Sequence, residues 1–141
     1  MFEDVDTFYT EAEEVGKIFD SFIAQYDLIG LVVADHICYK CSSSESFEGI
    51  RKVFEFSSDW IYQAIISKRR IATIRTKQGL ETLAGRISLV ELSDQKPDGS
   101  QPDKFDHIEI YPIAISYNQL VSNLKKVGLK VEEIIRPHHT T

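Results

Sequence analysis

Apolar residues recur at spacings of three and four from Val5 through Phe8, Ala12, Val15, Phe19 and Phe22 to Tyr26. That spacing draws one stripe along a helix, with Glu11, Glu13, Glu14 and Lys17 off the stripe, and predicts a helix near residues 4–26. The rhythm then changes. After Leu28 to Leu31, the run VVADHICYK reads as a strand. Ser42 and Glu45 have the Ser-x-x-Glu spacing of a capping box, and Phe47, Ile50, Val53 and Phe54 supply the apolar side of the helix that should follow. Three strands come next, Trp60 to Ser67, Arg70 to Thr76 and Gly85 to Leu92, with KQGLETLA as a loop or bulged turn between the last two. Pro97, Gly99 and Pro102, set among polar residues, mark a surface linker over 95–104.

Past the linker the order begins again. FDHIEIY (105–111) reads as a strand, Ser116 to Gln119 as a second helix start, and Tyr117, Leu120, Leu124 and Val127 repeat the earlier helical rhythm. Gly128 is placed to stop that helix, and Leu129 to Ile135 predicts a further strand. Asp35-His36-Ile37 returns as Asp106-His107-Ile108, 71 positions later, and Ser46-Phe47 returns as Ser116-Tyr117, one residue out of step. A tripeptide that repeats together with element order and spacing indicates an internal duplication. The first copy completes a βαβββ module. The second ends after its second strand, so either the chain is a fragment or a partner chain supplies the missing strands. The expected fold is α+β: paired modules forming a cupped mixed sheet, helices outside, and an extra N-terminal helix. The expected organisation is a single domain with an N-terminal helix (1–28), a first module (29–94), a linker (95–104) and a partial second module (105–141).

The 141 residues suffice for one domain with a real core. No apolar run approaches the roughly 18 residues that span a bilayer, and the acidic start MFEDVDTFYTEAEE lacks the basic opening of a secretory signal. With only two cysteines there is no disulfide framework, and a cytoplasmic location is expected. The net charge of −6 argues against a broad nucleic-acid surface. Lys68-Arg69-Arg70, the densest basic cluster, reads as a solvated hairpin turn or as an anchor for an anionic substrate.

The chemistry rests on the two Asp-His-Ile strands. Strand alternation puts His36 with Cys38, opposite Asp35 and Ile37, and His107 with Glu109, opposite Ile108 and Ile110. If the isoleucines pack under the helices, the histidines meet on the inner surface of a curved sheet, and neutral imidazole suits zinc, iron or nickel. Glu91, an acid in the apolar strand RISLVEL, needs a reason to be there and is the candidate third ligand. Other readings stand beside these. A strand histidine is commonly a hydrogen-bonded core residue. Glu91 has Arg86 or Arg75 as an ordinary partner, and Glu109 is open as an orienting partner, a base or an alternative ligand. Cys38 and Cys41 spell a CxxC whose sulfurs point to opposite faces of a strand, so two buried thiols are expected. His138 and His139 form a terminal pair that binds metal adventitiously at most. No nucleophile elbow, phosphate loop or dinucleotide fingerprint is present.

ADHICYKC, RISLVEL and FDHIEIYP, in that order and spacing, resemble the vicinal oxygen chelate superfamily and, within it, the bacterial YecM family. The superfamily carries its metal ligands on the first and last strands of each module. The resemblance therefore implies His36, Glu91 and His107 as ligands of a divalent ion: zinc, nickel, iron or manganese. It implies chemistry on a small molecule with adjacent oxygens, of isomerase, lyase or dioxygenase type. The metal would act as a Lewis acid toward an enediolate-like or oxyanion intermediate, with Glu109 moving a proton. Two alternatives remain open: a non-catalytic small-molecule binding module with the same cup, and an inactive fragment whose open sheet edge drives self-association into a homodimer. Neither a membrane nor a nucleic acid is an expected partner.

Overall fold

In the computed structural model, which describes residues 2–134, eight elements follow one another: α1 (Val5–Gln25), β1 (Val32–Lys40), α2 (Ser44–Phe54), β2 (Ser58–Ile66), β3 (Arg69–Thr82), β4 (Gly85–Ser93), β5 (Lys104–Pro112) and α3 (Tyr117–Lys126). The five strands form one mixed sheet in the order β2-β3-β4-β1-β5. Within it β1 runs parallel to β4 and antiparallel to β5. The architecture is α+β with an N-terminal helix, as the sequence pattern predicts.

One face of the sheet carries the core. Ile37 and Tyr39 of β1, Ala72 and Ile74 of β3, Val90 and Leu92 of β4, and Ile108 and Ile110 of β5 pack with Phe8, Phe47, Ile50, Phe54, Leu120 and Leu124 from the three helices. Period-two alternation then sends His36, Cys38, Glu91, His107 and Glu109 to the other face. All three helices contribute side chains to the same core cluster, so among the described residues no helix covers that second face.

Local chemistry sets the helix boundaries. Asp4 caps α1 by accepting from the Thr7 N–H at 2.7 Å, and Ser116 caps α3 by accepting from Gln119 N. The cap of α2 is Ser43, one residue later than the expected Ser42, and it accepts from Ser46 N at 3.0 Å. Ser42 is diverted because its N–H and hydroxyl both donate to the Asp103 carboxylate, at 2.7 and 2.8 Å. Gly128, at φ +90°, ends α3 as its position predicts. The predicted strand from Leu129 is not formed over 129–134, where no strand lies alongside to pair with it; Ile135 falls outside the described residues.

α1 sits rotated from its expected stripe. Its most buried residues are Phe8, Tyr9, Ala12, Gly16 and Ile23, while Val15, Phe19, Phe22 and Tyr26 are only partly covered. The buried face packs on β3, with Gly16 set against the Leu80 side chain. KQGLETLA is not a loop between strands. β3 runs through it to Thr82 with a wide register shift between Arg75 and Leu80. Gly79, at φ +77°, makes the irregularity possible, and any side chain there would collide with Arg86. Tyr9 ties α1 to this bulge. Its buried hydroxyl donates to Thr76 Oγ1 at 2.6 Å and accepts from Gly79 N at 3.3 Å.

The linker is firmly attached. Buried Gln101 donates through its amide to the carbonyls of Cys41, Ser93 and Asp94 and accepts from Arg69. Of the basic cluster only Lys68 is a turn residue, at φ +66° beside Ser67 at +53°. Arg70 is paired with Asp94 at 2.8 Å and Glu48 at 3.0 Å, so its charge is already neutralised.

Replacing Tyr9 with Phe removes a buried donor and leaves Thr76 and Gly79 short of a partner. Urea unfolding should show a loss of about 1–2 kcal/mol with an unchanged m-value. An unchanged midpoint would mean the bulge does not depend on this hydroxyl.

Candidate metal centre

The antiparallel pairing of β1 with β5 brings the two Asp-His-Ile triplets side by side, and each carries a bulge at its aspartate. On β1, Ala34 pairs with Ile110 and His36 with Glu109, which leaves Asp35 as the extra residue. On β5, Cys38 pairs with His107 and Tyr39 with Phe105, which leaves Asp106 as the extra residue. Asp35 and Asp106 are 71 positions apart, the same offset as the histidines. A bulge shifts the alternation by one residue. Ala34 and Ile37 therefore both join the core, as do Phe105 and Ile108.

The bulge corrects the expectation that Asp35 points away from His36. Asp35 Oδ2 lies 2.9 Å from His36 Nδ1, and Asp106 Oδ2 lies 2.7 Å from His107 Nδ1. Each aspartate thus holds its neighbouring imidazole by Nδ1. Lys40 stands 3.4 Å from Asp106 and balances its charge.

The two rings approach to 5.6 Å between centroids, nearly edge to face. His36 is 9% exposed. Its Nε2 lies 3.2 Å from Glu91 Oε2 and 3.5 Å from Glu109 Oε2. When the ring is protonated both carboxylates stand at ion-pair distance, and no other partner reaches this buried nitrogen among the described residues. Such an atom, facing two acids, is suited to a cation. His36, His107 and Glu109 each offer a ligand atom, all within 4.8 Å of one another. Glu91, the carboxylate expected from sequence, joins no such mutual set, although of the two acids at His36 Nε2 it is the nearer. Glu109 lies directly opposite His36 in the pairing and accepts a short hydrogen bond from the Tyr111 hydroxyl, which orients it. Neither Arg75 nor Arg86 pairs with Glu91; Arg86 is taken by Glu81 at 3.3 Å.

Without a bound metal the acids act on the imidazole. The Glu91 carboxylate, opposed by burial and aided by Asp35 and Glu109, pushes the His36 pKa up to about 9. The same contact lowers that of Glu91. Cys38 forms a second set with Asp106 and His107. Burial, with Glu91 and Asp106 nearby, pushes its thiol up to about 12, so the thiolate is the less accessible ligand. Cys41 lies in the core and both thiols are free. His138 and His139 lie outside the described residues.

A family model described as YecM protein matches residues 2–136, nearly the whole chain. No curated protein matches it. A solved structure titled "Structural Genomics, Protein EC4020" is similar at a TM-score of 0.55 and 21% identity, which supports the fold. The similarity covers 72% of this chain and 58% of that one.

A raised folded-state pKa on His36 contributes stability that is fully present below about pH 6.5, the unfolded value, and is lost as pH rises towards 9. An NMR titration of metal-free protein should place His36 near 9, and Glu91→Gln should bring it down. An ordinary histidine midpoint in the parent would contradict the Glu91 contact.

Proposed function

The chain belongs to the YecM family, of vicinal oxygen chelate fold, and on that premise we propose that its open sheet face binds one divalent metal ion and uses it to hold a small molecule with adjacent oxygens. The observation that carries the proposal is the buried His36 Nε2, held at ion-pair distance from two carboxylates and beside a second imidazole. His36, His107 and Glu109 are the proposed ligands, a two-histidine, one-carboxylate set of the kind that leaves open positions. Glu91 is then the free carboxylate, close enough to take or return a proton at the ligand. The roles expected from sequence, Glu91 as ligand and Glu109 as base, are the reverse assignment. A divalent ion in such a set supplies Lewis acidity to a bound oxygen pair, the common element of isomerase, lyase and dioxygenase chemistry. Asp35 and Asp106 lie against the Nδ1 atoms and would fix each ring so that Nε2, once it has given up any proton, can bind the ion.

A second reading is a cup that binds its small molecule without metal or turnover. The His36 contacts with Glu91 and Glu109 favour it, since they already compensate the buried charges.

Elemental analysis of untagged protein should find close to one zinc, nickel, iron or manganese per chain, and little in a His36→Ala, His107→Ala double variant that keeps its far-ultraviolet spectrum. Titration calorimetry should show Glu109→Gln losing more affinity than Glu91→Gln, and Asp35→Asn losing about 10- to 100-fold. The opposite order for the two glutamates exchanges their roles. A parent that takes up no metal after dialysis against all four ions leaves the metal-free binding module.

A further inference from the structure

The open face carries more than the metal candidates. Its residues line up across the sheet in hydrogen-bonded register. One row runs Trp60, Arg75, Leu89, His36, Glu109, and the next runs Tyr62, Thr73, Glu91, Cys38, His107. The far ends of both rows are aromatic and exposed, Trp60 at 46% and Tyr62 at 66%, while Ile61 between them turns to the core. Two side chains at positions i and i+2 of a strand stand about 6.8 Å apart. That gap admits one planar ring at roughly 3.5 Å from each.

Arg75 opposes Trp60 in the same row. It is exposed, and among the described residues it has no carboxylate within salt-bridge distance. The other described arginines are engaged: Arg51 with Glu55, Arg70 with Glu48 and Asp94, Arg86 with Glu81, and Arg69 with Gln101. In a chain of net charge −6, a guanidinium left without an acid, two strands or about 10 Å from His36, is placed for an anion brought from outside. Half-buried Leu89 floors the space between.

We propose that the cup takes a small aromatic carboxylate, its ring between Trp60 and Tyr62 and its carboxylate on Arg75. The proposal deepens the reading of this face as a small-molecule site by naming the class of ligand. It disfavours nucleic acid, because Glu91, Glu109, Asp35 and Asp106 surround the other end of the rows and repel a polyanion. A compact monoanion reaches Arg75 without meeting them.

Trp60 is the only tryptophan in the chain, so its fluorescence reports on the platform itself. The probe is 3-phenylpropanoate, with 3-phenylpropanamide (ring without charge) and butanoate (charge without ring) as controls. The acid should give a saturable change, and the amide and butanoate should bind about tenfold or more weakly. Arg75→Gln should remove the preference for acid over amide, and Tyr62→Ala should weaken both. Both are exposed positions away from the core. Equal response to acid and amide in the parent, or no saturable response, overturns the proposal. So does a fluorescence change that tracks protein concentration alone, which would mean a second copy covers the rings. Zinc binding is measured in parallel. A protein that binds zinc and ignores the acid refutes the aromatic site alone, whereas response to the acid without zinc uptake refutes the metal reading alone.

Discussion

The antiparallel junction of β1 and β5 is the constraint on which the site depends. It alone brings together two strands separated by more than sixty residues, and its register decides which side chains meet. With His36 opposite Glu109 and Cys38 opposite His107, two imidazoles and a carboxylate fall within reach of one point. The paired bulges complete the arrangement. Each adds one residue, turns an aspartate onto its histidine, and restores the isoleucine beyond it to the core. Without the bulges, the apolar positions before and after each aspartate would face opposite sides of the sheet.

The polar face requires a positive charge to hold it together. Glu91, Glu109 and Asp35 crowd around His36, and Asp106 lies against the neighbouring His107. Burying carboxylates near one another is costly unless a cation lies between them. The His36 proton meets that need in the metal-free protein, and Lys40 does so for Asp106. A metal ion at the same place would displace a proton that the acids hold tightly. Metal affinity and acidity are therefore linked at a single nitrogen.

Much of this was legible in the sequence, and the parts that were not share a cause. Helical spacing revealed α1, and the repeated Asp-His-Ile revealed the strands that would meet, because a period and a recurring tripeptide are read directly from the chain. Glu91 was visible as an acid in an apolar strand. Glu109 was visible too, but its rank as a ligand depends on the β1–β5 register, which no local pattern encodes. The bulge at Asp35 was hidden for the same reason: an extra residue exists only relative to a partner strand. Alternation taken literally sends Asp35 to the wrong face. Ser42 lost its capping role to Asp103, sixty-one residues away. The bulge of β3 at Gly79 is bonded to Tyr9, seventy residues earlier. Arg75 and Trp60 gain meaning only when four strands are laid in register.

The attachment of the linker bears on how the chain finds its register during folding. An edge strand that slips by two residues keeps its apolar side inward and loses little burial, so alternation alone does not prevent β5 from docking out of place. Gln101, bonded to three carbonyls at the ends of β1 and β4, and Asp103, bonded to the first turn of α2, leave only Pro102 between two fixed points just ahead of Lys104. The strand enters with no slack to spend on a slip. Tolerance to length change should thus divide sharply within one loop. Residues 95–100 can lengthen freely at the surface, whereas one residue inserted between Gln101 and Lys104 would change which side chains are offered to β1.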